Sequence, residues 1–246
     1  MEAVQDPGLS PAAQLAAVLR DRLADEYGPG TEIEGLVRLS AGASRETWSF
    51  DAVKPDGSRQ LLILKRDPMA RQVDKKFEGV PEGRLAVGRL VEGRLLQLAR
   101  EAGTPAPVIP FMLNKDGRTT EGFFSHRLEG ETLGRRILRE DAYAAARPKL
   151  AFAVGHAAAR FHGIPLDQLP PMRGLPAAEE LLHYRTIMDS FHQPHAGFEY
   201  GFRWLEERLE LAGERYALCH GDYRNGNIIV DAEGLAGVLD WESAHL

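Results

Sequence analysis

The sequence predicts an α+β protein, with a strand-rich N-terminal part, a helical C-terminal part and one polar hairpin near the C-terminus. Three observations predict this class. Short β-like runs separated by turns rich in Pro, Asp and Gly occupy residues 33–65 and 108–128. Apolar residues then recur at helical spacing between residues 150 and 211. Short β-like runs return between residues 216 and 239.

The predicted elements follow one another along the chain. Ser10 and Pro11, a capping residue and a first-turn residue, start a helix that the segment 28–30 stops. Strands are then expected at 33–40, 46–53 and 60–65, with a helix at about 82–102. A strand pair at 108–113 and 122–128 precedes helices around 150–161, 177–190 and 199–211. The last hairpin pairs residues 227–230 with residues 235–239.

Composition excludes several classes of partner. The chain has 246 residues with 30 basic and 36 acidic side chains, a net charge of −6, which disfavours nucleic-acid binding. No apolar run approaches the roughly 20 residues that a membrane-spanning helix needs. The one cysteine, Cys219, cannot form an internal disulfide. We therefore expect no nucleic-acid or membrane partner and a location in the reducing cytoplasm.

Residues 220–227, His-Gly-Asp-Tyr-Arg-Asn-Gly-Asn, carry the strongest chemical signal. Asp222 and Asn227 flank a glycine-containing loop, and Asp240 ends the next strand of the hairpin. Hairpin pairing should bring Asn227 close to Asp240, and two such oxygen ligands suit Mg²⁺. Asp222, on the same loop, could take a proton from an attacking hydroxyl group.

A second signal lies in the N-terminal part. Lys65 ends an apolar run, where a lysine must reach either solvent or an acid. Glu92 is the only charge in one row of the predicted helix, and a buried carboxylate needs a partner. We predict that Lys65 and Glu92 form an ion pair, although the pattern also allows both to lie at the surface.

The loop at 220–227, together with Asp240, resembles the catalytic loop of the aminoglycoside phosphotransferase family, H-G-D-x-x-x-x-N followed by a metal-binding Asp. That family is similar in fold to the protein kinases, whose loop reads H-R-D and whose metal-binding Asp begins D-F-G. Gly221 and the segment Asp240-Trp241-Glu242 resemble the small-molecule branch. The chain looks closest to the members joined to some acyl-CoA dehydrogenases.

The resemblance implies a protein-kinase-like fold with two lobes. Residues 1–128 would form the nucleotide-binding lobe, and residues 129–246 the helical lobe with the catalytic loop and the metal-binding hairpin. Family members usually continue for several more helices, so we expect this chain to be incomplete after Leu246. In that case it should expose apolar surface and show little activity.

Site roles follow from the same resemblance. Asp222 would be the catalytic base, Asn227 and Asp240 would hold Mg²⁺, and His220 would brace the loop. Lys65, paired with Glu92, would hold the nucleotide phosphates. Further nucleotide contacts would come from two loops: Ser40, Gly42 and Ser44 at the phosphates, and the backbone of His126 and Leu128 at adenine. The implied cofactors are ATP, with GTP as the alternative, and Mg²⁺.

Two other functions stay open at this point. The chain could be a nucleotide-binding pseudokinase or scaffold without turnover. It could also be a metal-dependent phosphohydrolase that uses His220, Asp222, Asp240 and His245. For a kinase, the small-molecule hydroxyl acceptor could be an aminoglycoside, a hydroxyacyl thioester, an amino alcohol or a sugar. The sequence does not determine the oligomeric state.

Overall fold

A computed structural model describes residues 11–39, 45–68, 86–116, 118–213 and 215–246. The strands are β1 (Glu32–Arg38), β2 (Glu46–Val53), β3 (Arg59–Arg66), β4 (Met112–Leu113), β5 (Gly122–His126), β6 (Ile228–Val230) and β7 (Leu235–Val238). The α-helices are α1 (Pro11–Tyr27), α2 (Arg89–Glu101), α3 (Gly134–Arg139), α4 (Arg147–His162), α5 (Ala177–Ser190) and α6 (Ala196–Glu206). A 3₁₀ turn covers Trp241–Ser243.

The first five strands form one antiparallel sheet in the order β1-β2-β3-β5-β4. The hairpin between β2 and β3 closes through Gly57, whose φ of 80° suits glycine and whose N–H donates to the Lys54 carbonyl at 2.9 Å. Strand β3 lies in the middle of the sheet, so Lys65 is opposite Thr47 on one side and Phe123 on the other. This register fixes where the Lys65 side chain leaves the sheet.

Helix α1 covers one face of this sheet. Its inward row, which includes Leu19 and Leu23, packs with Phe50, Leu62 and Phe124 from the strands, and all five are fully buried. Full burial of one such side chain contributes roughly 1.5–3 kcal/mol. This apolar cluster holds β3 in place.

A second apolar cluster connects α2 to the C-terminal half of the chain. It contains Leu95 of α2 and Phe123 of β5, together with Phe161 of α4, Val238 of β7 and Trp241. Trp241 is completely buried and meets the Phe161 ring edge-on, with ring centroids 5.0 Å apart. Helix α2 is therefore packed directly against the segment that follows β7.

Several predicted elements differ in extent from those observed: the strands expected at 33–40 and 122–128 end at Arg38 and His126, and the helix expected at 199–211 spans Ala196–Glu206. Two further differences have a visible physical cause. The helix expected at about 82–102 begins only at Arg89, because the Val87 N–H donates to the Glu242 carbonyl at 2.7 Å and Gly88 is extended. Residues 82–85 lie outside the described residues. The strand expected at 108–113 is regular only at Met112–Leu113. Pro107 and Pro110 lack N–H groups, so earlier pairing is limited to isolated contacts such as His126 N–H to the Val108 carbonyl, 2.9 Å.

Within the ranges that the structure describes, no helix combines the length and the apolar composition that crossing a membrane would require.

Candidate active site

The loop 220–227 is fixed at both ends. Before it, Cys219 and His245 exchange two backbone hydrogen bonds of 2.8 and 3.1 Å. After it, β6 pairs with β7 in an antiparallel hairpin. The short loop between these anchors has little freedom, so its side chains are held in fixed directions.

His220 braces this loop from inside. Its Nε2 lies 2.8 Å from the Leu239 carbonyl, and the Asp222 N–H donates to its Nδ1 at 3.3 Å. Together these contacts require the neutral tautomer with the proton on Nε2. Burial lowers the pKa of His220 and outweighs the opposing effects of the Leu239 hydrogen bond and Asp240. The neutral ring therefore ties Asp222 to the strand that leads to Asp240.

This burial predicts a specific pH dependence of stability. Below the ordinary histidine pKa of about 6.5, the unfolded chain takes up a proton that folded His220 resists. We therefore expect the free energy of unfolding to fall as the pH is lowered from 7 to about 5. The His220→Gln variant should lose less stability over the same range in chemical denaturation.

The exposed His162 provides the control for that experiment. The His162→Gln variant should keep the acid sensitivity of the parent protein. An identical pH dependence in the His220 variant and the parent would show that His220 is not the group responsible.

Position 221 requires glycine because the backbone of Ser243 lies very close to it. Its φ is 81°, and a Cβ atom there would lie 2.0 Å from the Ser243 carbonyl oxygen. No side chain can be accommodated without moving that carbonyl. The glycine at this position therefore reflects contact between the loop 220–227 and the 3₁₀ turn after Asp240.

Asp222 and Asn227 are bonded to each other. The Asn227 amide donates to the Asp222 carbonyl at 2.9 Å and to Asp222 Oδ2 at 2.7 Å. Because both contacts use the nitrogen, the amide oxygen of Asn227 stays available as a ligand. Asp222 Oδ1 accepts a hydrogen bond from Arg224 Nε at 2.9 Å. The carboxylate is thus oriented from both sides.

The pairing of the two hairpin strands brings the backbone of Asn227 next to the residue that precedes Asp240. The Leu239 N–H donates to the Asn227 carbonyl at 2.8 Å, which extends the ladder in which Ile228 faces Val238. Asp240 follows with φ 64° and ψ 60°, a left-handed conformation that few residues other than glycine adopt. Such strained positions are frequent at functional sites. This turn redirects the Asp240 carboxylate out of the strand.

Lys65 joins the two halves of the site. Its Nζ donates to Glu92 Oε1 at 2.8 Å and to Asp240 Oδ1 at 2.7 Å. The ion pair predicted between Lys65 and Glu92 is therefore present. Burial alone would lower the pKa of Lys65, but attraction to Glu92 and Asp240 outweighs it and raises that pKa. The ammonium group stays charged at the point where β3, α2 and the C-terminal hairpin meet.

The remaining predicted site residues divide into two groups. Ser40, Gly42 and Ser44 lie outside the described residues. His126 ends β5, and the stretch after it runs along the C-terminal hairpin, where Glu131 and Val230 exchange backbone hydrogen bonds of 2.8 and 3.0 Å. Leu128 lies against Gly237 of β7, since a Cβ there would be 2.5 Å from Leu128 Cδ1. This stretch therefore connects the sheet to the hairpin that carries Asn227.

Three charged residues near the site were not identified from the sequence. Arg45 and Arg89 lie next to Glu92, Glu242 pairs with both arginines, and Arg89 is only 1% exposed. The one signal that the sequence offered is the spacing of Arg89 and Glu92, three residues apart on a helix. Buried arginines otherwise look like surface residues in a sequence.

The donor set of the site fits a hard cation bound mainly by phosphate and water. Among the described residues, no group of three or more His, Cys, Asp or Glu side chains could form a metal cage. His245, which the phosphohydrolase alternative needs, contacts the Ser243 carbonyl through Nδ1 at 3.0 Å. One amide oxygen and one carboxylate, by contrast, match the few protein ligands that Mg²⁺ takes beside a nucleotide.

Comparison with known proteins identifies the family. The family model described as "Phosphotransferase enzyme family" matches residues 35–246, most of the chain. No curated protein matches the sequence significantly. None of these matches distinguishes the branch related to acyl-CoA dehydrogenases from the rest of the family. The assignment of the chain to that branch therefore stays a prediction.

Solved structures agree on the fold. Macrolide 2′-phosphotransferase MphH from Brachybacterium faecium is 20% identical with a TM-score of 0.53, over 93% of this chain and 72% of that one. A mutant of aminoglycoside phosphotransferase APH(4)-Ia, complexed with ADP and hygromycin B, is 16% identical with a TM-score of 0.57, covering 92% and 71%. ADP-bound APH(2″)-Ib is 15% identical with a TM-score of 0.53, covering 93% and 71%. The chain therefore belongs to the phosphotransferase enzyme family and has the two-lobed, kinase-like α+β fold of the aminoglycoside phosphotransferases.

Proposed function

We propose that this protein is an ATP-dependent kinase that transfers the γ-phosphoryl group to a hydroxyl of a small molecule. The observation that carries the proposal is the position of Lys65, whose Nζ contacts both Glu92 and Asp240. This contact supports the proposal, because a lysine that holds phosphates and an aspartate that holds the metal would have to lie side by side. The hairpin that bears Asp240 also bears Asn227, which is bonded to Asp222.

Asp222 has the geometry of a base that aligns the acceptor. Its carboxylate is held by Asn227 and Arg224, and its side chain is 38% exposed, so an incoming hydroxyl can reach it. Accepting that proton, and holding the hydroxyl in line with the phosphorus, is the role of the corresponding aspartate in kinase-type transfer. Catalysis of this kind depends mainly on positioning.

Asn227 and Asp240 are the residues that would hold Mg²⁺. When bound with the nucleotide, the ion supplies charge neutralisation at the phosphate oxygens. Lys65 would add a second positive charge there. Lys65 contacts Asp240 in this structure, and turning away from that carboxylate would let its ammonium group reach the phosphates.

The remaining nucleotide contacts belong to the same proposal. The backbone of His126 and Leu128 would contact adenine, and Ser40, Gly42 and Ser44 would contact the phosphates. Residues 1–128 would then form the nucleotide-binding lobe and residues 129–246 the lobe with the catalytic loop. ADP in the complexes of APH(4)-Ia and APH(2″)-Ib supports ATP as the donor. We propose a cytoplasmic location.

A screen for ADP release tests this function. The protein is incubated with Mg·ATP, and in parallel with Mg·GTP, against aminoglycosides, macrolides, hydroxyacyl thioesters, amino alcohols and sugars. We expect one acceptor class to yield ADP above the background rate, together with a phosphorylated product, even if that rate is low. Thermal stabilisation by Mg·ATP without product from any acceptor would instead favour the nucleotide-binding scaffold.

A further inference from the structure

A second layer of charges lies behind Lys65. It consists of Arg45, Arg89, Glu92 and Glu242, which we call the Glu92 cluster. Arg89 Nη1 donates a short hydrogen bond to Glu92 Oε2, and Arg45 pairs closely with Glu242. The cluster therefore links α2 to the segment that carries Asp240.

Each oxygen of the Glu92 carboxylate has its own cation. Oε1 accepts from Lys65 at 2.8 Å, whereas Oε2 accepts from Arg89. The guanidinium of Arg45 lies further away, with Nη1 3.9 Å from Oε2. Glu92 is 0% exposed, and a carboxylate buried to that degree is strongly destabilised when it lacks a cation. Arg89 would still be paired with Glu92 if Lys65 moved.

Arg89 is held rigidly enough to do so. Its side chain is 1% exposed, and its Nε donates to Asp67 Oδ1 at 3.3 Å. Its Nη2 is 3.8 Å from Glu242 Oε2 and makes no hydrogen bond to any of the residues that the structure describes. The planar guanidinium thus spans three carboxylates, which the single ammonium of a lysine could not do.

Glu242 fastens the same helix to the metal-binding segment through its backbone. Its carbonyl accepts the Val87 N–H at 2.7 Å, two residues before α2 begins. Its carboxylate lies between Arg45 and Arg89. A shift of α2 would therefore break contacts both to the Glu242 backbone and to its side chain.

We propose that Arg89 is a positioning residue for phosphoryl transfer. It holds the Glu92 carboxylate in place while Lys65 turns from Asp240 to the nucleotide phosphates. Arg89 itself touches neither the nucleotide nor the acceptor, and it acts on them through Glu92 and Lys65. This inference depends on the function proposed above.

A double-mutant cycle on nucleotide binding tests the inference. The dissociation constant of Mg·ADP is measured by calorimetry for the parent, Arg89→Met, Lys65→Met and the double variant. We expect Arg89→Met to weaken binding by about 10- to 100-fold, as loss of an outer partner of a ligand often does. In the Lys65→Met background the Arg89→Met change should alter the dissociation constant of Mg·ADP by less than about twofold. Arg89 acts through Lys65, and that side chain is then absent.

The control is Arg94→Met, which removes an exposed arginine from the same helix and should leave binding unchanged. The Arg89→Lys variant keeps the positive charge but loses the planar guanidinium group. Its affinity for Mg·ADP should therefore lie between those of the parent and Arg89→Met. If Arg89→Met does not fold, the cycle is run with Arg89→Lys.

The outcomes distinguish a failure of the proposed function from a failure of the positioning role of Arg89. A parent protein that binds no Mg·ADP would refute the proposed function itself. Normal binding by the Arg89 variants, or an equal loss with and without Lys65, would overturn only the positioning role. An equal loss would instead indicate that Arg89 merely stabilises the fold.

Discussion

Replacing Asp222 with asparagine should lower the rate of phosphoryl transfer by about 100- to 10,000-fold, the usual contribution of a positioned acid or base. The exchange keeps the side-chain shape but removes the group that accepts the hydroxyl proton. Affinity for Mg·ADP should stay within about twofold, because Asn227 and Asp240 keep their own anchors in the hairpin. The measurement is the initial rate with the acceptor found in the ADP-release screen, together with calorimetric binding.

Asp167→Asn serves as the matched control, since Asp167 is an exposed carboxylate on a surface turn. Its rate should equal that of the parent. Full turnover by the Asp222 variant would show that the base has been wrongly assigned, even if the variant bound nucleotide normally.

Replacing Asp240 with asparagine should weaken Mg²⁺-dependent nucleotide binding by about 100-fold or more, since even outer partners of metal ligands are worth 10- to 100-fold. Asparagine is the informative choice because it tolerates the left-handed φ of 64° that Asp240 adopts. The backbone is thus preserved, and only the carboxylate is lost. Lys65 then keeps Glu92 as its remaining partner.

Nucleotide binding with Mg²⁺ and with a chelator shows whether the loss is specific to the metal. We expect the parent to bind ADP more tightly with Mg²⁺ and the Asp240 variant to show little difference. Asp231→Asn is the control, because Asp231 accepts two backbone hydrogen bonds in the turn of the same hairpin. An unchanged Mg²⁺ effect in the Asp240 variant would remove that residue from the metal site.

The sequence was most informative where local patterns decide structure. The β-like runs on either side of the turn at Gly57 predicted strands 46–53 and 60–65 close to their observed bounds. The isolated charge of Glu92 in an apolar row of the helix led us to predict its ion pair with Lys65. In both cases the relevant physical constraint, backbone conformation or burial of a charge, acts within one or two elements.

Long-range contacts could not be predicted in the same way. Helix α2 starts late because Val87 bonds to Glu242, a residue more than a hundred positions away. Apart from its spacing of three residues from Glu92, Arg89 has no local feature that distinguishes it from an exposed arginine, and only the tertiary fold buries it between Glu92 and Glu242. The acceptor is equally hidden, since its contacts depend on side chains brought together by the whole fold.

The position of Mn²⁺, a Mg²⁺ substitute with a strong anomalous signal, is the most direct test of the site. A crystal of the protein with Mn²⁺ and a non-hydrolysable ATP analogue should show the ion bound by the Asn227 amide oxygen and the Asp240 carboxylate. The γ-phosphate should then face Asp222. An ion and phosphates bound elsewhere, with these three side chains directed away from them, would contradict the proposed catalytic arrangement.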